Sequence, residues 1–262
     1  MDTSNAQTLL TEAVTAYSLF SNTQEEATRT GMQLESFKSA QIHTQDYPQI
    51  TVEPNDPLSW PKTISVDYGP ENVSGIDGRA RRGVMIIVVQ NFPGVENASW
   101  EVSFDEYYID DYKIDGTQTI TYKGVNASEH PEYNCTVTSG EITSPEGKSF
   151  LFEQNTTREW INGYDTHYVL TKNIDDLCDD DYLITGEHSG VSSEGYTYTM
   201  STKEALQVNV CCQWIMDGKM IVELQDAELN CEIDYRPGND TGDMCNNLAT
   251  FNIFGNTIPV SL

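Results

Sequence analysis

The sequence predicts an all-β protein of antiparallel meander sheets, forming a sandwich or a strongly curved sheet, with one N-terminal helix. Three observations predict it. From residue 62 onward, bulky and polar residues alternate with a period of two in run after run. The runs are joined by short polar turns rich in Gly, Asp and Asn. A helical period is confined to the start of the chain.

In residues 3–30 Thr3 or Ser4 caps the helix, and Leu9, Leu10, Ala13, Val14, Tyr17 and Phe20 recur on one side. Gly31 is the expected stop. Pro48, Pro54, Pro57 and Pro61 then break regular structure, so 44–61 reads as a connector. Beyond it Trp100, Val102 and Phe104 alternate with Glu101, Ser103 and Asp105, the pattern of a half-buried strand. Ile120 and Tyr122 alternate with Thr119 and Thr121, and Tyr196, Tyr198 and Met200 with Thr197, Thr199 and Ser201. Asp110-Asp111, Asp115-Gly116, Glu194-Gly195, Asp217-Gly218 and Gly255-Asn256 mark turns. Such short connections make antiparallel neighbours and not βαβ units. An internal echo links Ile64-Ser65-Val66-Asp67-Tyr68-Gly69 to Ile233-Asp234-Tyr235-Arg236-Pro237-Gly238, each followed by a loop with a second acid, Asp77 or Asp243. The expected organisation is a helix and tether (1–43), a Pro-rich connector (44–61), a first β-half (62–147) and a second (148–262) packed with it.

Charge narrows the partners. The chain has 14 Lys and Arg against 41 Asp and Glu, a formal charge of −27. This field repels phosphate backbones, so no nucleic-acid partner is expected. The 14 Tyr, 8 Phe and 4 Trp supply bulk for a core, unlike a disordered acidic chain. The longest apolar run, Val84–Val89, is strand-sized, so no transmembrane span is expected. Met1-Asp2-Thr3-Ser4-Asn5 lacks the basic and apolar regions of a signal peptide.

Cys135, Cys178, Cys211, Cys212, Cys231 and Cys245 show neither CxxC nor zinc spacing. Their connectivity is open; a hairpin centred near Gly238 would bring Cys231 opposite Cys245. Six Asn-x-Ser/Thr triplets, the first at Asn72 and the last at Asn239, are read as chance in an Asn- and Thr-rich chain.

Catalytic patterns are thin. His43, His130, His167 and His188 stand in unrelated contexts, and no Gly-x-Ser-x-Gly elbow occurs. No two of the acids are singled out as a glycosidase pair. Asp67 with Asp77, and Asp234 with Asp243, are candidate ligands for a hard cation such as Ca²⁺, which takes oxygen donors. Asp at a strand end also turns the backbone through its own side chain, so no cofactor is required. The run Asp175–Asp181 reads as a solvated acidic turn, and Arg79, Arg81 and Arg82 as neutralising Asp67 and Asp77. The candidate binding residues are aromatic: Trp160 and Tyr164 in a turn-like segment, and Trp100, Tyr107 and Tyr108, flat faces on which a sugar or protein stacks. The competing reading puts these rings in the core.

Several segments resemble a family of uncharacterised Bacteroidetes envelope lipoproteins. They are Pro61-Lys62-Thr63-Ile64-Ser65-Val66-Asp67-Tyr68-Gly69 with Asp77-Gly78-Arg79-Ala80-Arg81-Arg82-Gly83, Phe104 to Gly116, Trp160-Ile161-Asn162-Gly163-Tyr164-Asp165-Thr166, Leu183-Ile184-Thr185-Gly186, and Ile233-Asp234-Tyr235 with Cys245-Asn246-Asn247. The likeness implies a protein of the cell envelope, outer membrane-associated or periplasmic, with a lipid anchor in the native precursor and a leader absent from this chain. It implies no reaction. The functional expectation is a non-catalytic binding module for glycan or protein; the alternatives are a glycan hydrolase using an Asp/Glu pair and a purely structural envelope component.

Overall fold

A computed structural model describes the chain except residues 1–2, 33–47, 57, 76, 93, 167–177, 225–228, 238–241 and 243. Among the described residues one helix, α1 (Thr3–Met32), precedes fourteen strands. They are β1 (Gln49–Glu53), β2 (Lys62–Asp67), β3 (Val73–Ser74), β4 (Ala80–Val89), β5 (Ser99–Ile109), β6 (Tyr112–Val125) and β7 (Pro131–Thr143), then β8 (Ser149–Asn162), β9 (Asp181–Val191), β10 (Thr197–Asn209), β11 (Asp217–Leu224), β12 (Leu229–Asp234), β13 (Leu248–Ile253) and β14 (Asn256–Ser261). Every ladder is antiparallel, and strand order follows chain order except that β3 pairs only with β4. Edge strands β1 and β14 are not paired with each other, so the sheet is open.

The alternation read from sequence sets which row faces in. Val89, Trp100, Ile120, Cys135 and Thr156 lie opposite one another across β4 to β8 and are all buried. This inner face curls around α1, which approaches β4 through β8 and also β13 near the far edge. Bulges interrupt the β5–β6 and β9–β10 ladders, between Val102 and Tyr108 and between Ser201 and Leu206. Extra residues of this kind bend a strand and increase its twist, which a sheet needs to wrap a helix.

Enclosure explains a departure from expectation. The helical stripe predicts one buried side, yet Ala16, Leu19, Thr23, Gln24, Glu26, Ala27, Thr28 and Thr30 are buried too. Phe20 stacks on Phe152 with centroids 5.4 Å apart, and Thr23 and the Phe20 carbonyl are tied to Gln118 of β6 by hydrogen bonds of 2.9 Å. Gly31 does not stop the helix at its own position. It lets α1 approach Trp100 so closely that an added Cβ would lie 1.8 Å from the indole Nε1.

The connector contains β1, which pairs with β2 through Thr51 and Ser65. The 147/148 boundary falls in the β7–β8 turn, and β7 and β8 pair across it in one continuous sheet. The sequence echo has a structural counterpart: Asp67 Oδ1 accepts from Gly69 N at 2.7 Å and Asp234 Oδ1 from Arg236 N at 3.0 Å, the same Asx turn at two strand ends.

Gly83 has φ +85°, and an added Cβ would sit 1.9 Å from the Glu106 carbonyl oxygen. Gly83→Ala is therefore expected to cost about 1–3 kcal/mol, from left-handed strain plus a backbone clash, read as a lower urea midpoint at unchanged slope.

Candidate functional site

The charged residues of the inner face close on α1. Asp77 is buried and accepts from Arg81 Nη1 at 2.8 Å and Nη2 at 2.6 Å, and from Asn22 of α1 at 2.5 Å. Burial pushes its carboxyl up, but the hydrogen bonds and charge of Arg81, with Asn22, hold it below the usual carboxylate range. Arg79 bonds Asp110, Ser18 of α1 and the Gln213 carbonyl. Arg158 stacks on Tyr182 at 3.8 Å and donates to Glu25 of α1 at 3.1 Å. Burial pushes Glu25 up despite that partner. His188, pushed down to about 3 by burial, lies between Tyr17 and Phe152 as a neutral core ring. Cys135, with its thiol pushed up to about 12 by burial, is an inert core group.

The same inner face claims most of the aromatic candidates. Trp100, Trp160 and Tyr107 are each 0% exposed and offer no surface to a ligand, which corrects their reading as stacking platforms. Trp160 stacks on Tyr182 at 5.3 Å, because β8 runs on to Asn162 and its parity turns residue 160 inward. Tyr164, partly buried, packs edge-on to Trp160 at 6.5 Å. Tyr108 lies on the outer face under the Arg82 guanidinium, 3.9 Å from its ring centre. The five candidates form no common patch.

The carboxylate candidates are taken locally. Asp67 and Asp234 make the Asx turns described above, and Asp77 is committed to Arg81. Asp243 lies outside the described residues, as do His43, His167, Asp175 and Asp176. Among the described residues no three His, Cys, Asp or Glu side chains gather as metal ligands. The Arg triplet divides its work differently from expectation: Arg81 neutralises Asp77, Arg79 pairs with Asp110 and Arg82 with Asp111, while Asp67 is satisfied by backbone. Cysteine pairing also departs from the hairpin expectation. Cys178 is bonded to Cys211 and Cys212 to Cys245, leaving Cys135 and Cys231 as buried thiols.

Sequence reasoning missed an apolar cluster on two loops. Register places the β1–β2 and β4–β5 connections at one end of the sheet, since Lys62 opposes Val89. There Leu58 is 86% exposed, Phe92 46% and Val95 46%, and Trp60 stands edge-on to Phe92 at 6.2 Å. The first loop is pinned. Asp56 Oδ1 accepts from the backbone of Leu58 and Ser59 at 2.9 and 2.8 Å, and the buried Lys62 ammonium donates to the carbonyls of Pro54 and Asp56. Lys62 Nζ also lies 5.8 Å from the Trp60 ring centre. Apolar residues amid Pro, Asn and Asp in a connector were the available signal.

A concavity of about 490 Å³ lies over β8 to β11. Glu153, Ser189, Thr199 and Glu223 form one row across it, with Asn155, Glu187 and Ser201 in the next.

The sequence matches no protein-family profile, no curated protein and no solved structure.

Proposed function

We propose that the chain is a non-catalytic binding module of the cell envelope that docks a protein partner through Leu58, Trp60, Phe92 and Val95. One observation carries the reading: Leu58, Phe92 and Val95 stand exposed beside the half-buried Trp60, whose own loop is pinned by hydrogen bonds, and an anchor already held in place costs little entropy on binding. Leu58 projects as a knob, which suits an apolar pocket on a protein better than the flat face of a sugar. The envelope assignment is supported by two disulfides, which suit an oxidising compartment. The family resemblance adds a lipid anchor in the precursor.

Capture from an envelope extract, followed by affinity measurement with the purified partner, tests this. Trp60→Ala/Phe92→Ala is expected to weaken that affinity at least about tenfold, through loss of hot-spot contacts. Its melting temperature should fall, since Trp60 packs on the core, and Leu58→Ala, at an exposed position, should weaken the affinity at unchanged melting temperature. Undiminished affinity overturns the assignment, and binding on a glycan array that is lost in the same variant transfers the site to sugars.

A second reading rests on the groove. Glu153 and Glu187 are diagonal neighbours on β8 and β9 and both line this groove, the kind of acid pair that glycoside cleavage needs. Glycan cleavage abolished by Glu187→Gln would establish the hydrolase in place of the binding module.

A further inference from the structure

We infer that the loop joining β10 to β11 is a redox clasp, and that reduction of Cys212–Cys245 releases it from α1. The loop lies against the middle of the helix: Cys212, Gln213, Trp214 and Ile215, with Val208 of β10, face Tyr17, Ser18, Ser21, Asn22 and Glu25 across a crevice of about 30 Å³. That is room for about one water molecule. Glu25 Oε1 and the Arg158 Nε and Nη1 atoms at this seam are buried without hydrogen-bond partners. Such groups gain most from any opening that admits solvent.

The loop is held in two different ways. At its base Asn209 Nδ2 bonds the Cys178 carbonyl at 2.9 Å, Asn209 Oδ1 accepts from Cys211 N, and Cys178–Cys211 closes the same corner. At its tip the loop is joined to the β12–β13 connection by Cys212–Cys245 and to Arg79 by the Gln213 carbonyl at 3.1 Å. Cys245 is exposed and Cys212 partly so, giving a reductant access to the tip bond. The step needs a dithiol. Its thiolate attacks one sulfur of Cys212–Cys245, a mixed disulfide forms, and the second thiol displaces it as a cyclic disulfide. Two electrons and two protons pass to Cys212 and Cys245, which leave as thiols. The tip then keeps the Gln213–Arg79 hydrogen bond and the packing of Ile215 against the core, while the base stays closed.

Amide hydrogen exchange on the full chain, titrated with dithiothreitol and followed by counting free thiols, tests this. Once Cys212 and Cys245 are reduced, exchange across residues 17–25 is expected to rise at least about tenfold, with β7 and β8 unchanged, as for a local opening. Cys212→Ser/Cys245→Ser should show that rise without reductant, and Cys178→Ser/Cys211→Ser should not. Unchanged exchange at 17–25 after reduction overturns the clasp. So does an equal rise across β7 and β8, which would make both bonds general staples of the fold.

Discussion

Asp77→Ala is expected to lower the unfolding free energy by about 3–5 kcal/mol, the cost of leaving a buried charge without its partner. Arg81 loses both carboxylate hydrogen bonds and keeps Asn22 as a weaker acceptor at a site closed to water. The variant should also change the pH dependence. Asp77 titrates lower in the folded chain than in the unfolded one, so its contribution is complete above the unfolded value, near about 4. It is lost as pH falls through the folded value. Glu25 has the opposite sign: its folded value is raised, so its contribution is complete below the ordinary carboxylate value and is lost as pH rises from there through the raised folded value. Urea midpoints for wild type and Asp77→Ala should therefore converge on acidification below about pH 4 and stay apart at neutral pH. Parallel curves down to the acid limit would contradict the pairing with Arg81.

Trp100→Ala is expected to cost about 3–5 kcal/mol, lost transfer energy plus a cavity that neighbours cannot fill. The indole lies between Val89 and Ile120 across the ladders, has Tyr133 at 6.3 Å, and is capped by the Gly31 backbone of α1. Collapse into the hole would require both the helix and three strands to move. Leu58→Ala, at an exposed position, should stay within about 0.5 kcal/mol of wild type. Equal costs at the two positions would mean that the inner face is not where the ladders place it.

The meander was legible because alternation and turn chemistry are local. Trp100, Val102 and Ile120 face inward as their strands' patterns require, and Asp110 and Asp111 make the tight β5–β6 turn with positive φ. The solvation of α1 was not legible. Thr23, Gln24 and Glu26 look like a wet face until the sheet closes over them, and that closure depends on bulges far away in sequence. Trp160 was misplaced for a related reason: the Asn162-Gly163 turn beside it looks exposed, while strand parity turns the residue itself inward. Disulfide pairing was illegible because Cys178, Cys211, Cys212 and Cys245 meet through the return of separate connections, not through one hairpin. Trp60 and Phe92 carried a readable sign, apolar rings in loop-like sequence beside prolines.

The enclosure of the strand tryptophans, with Trp60 left accessible at the loop end, is tested most directly by oxidising the native protein with N-bromosuccinimide and mapping the modified tryptophans by mass spectrometry. Trp60 should react in the folded state, while Trp100 and Trp160 should react only on unfolding. Oxidation of Trp100 or Trp160 at the rate of Trp60 would contradict the account.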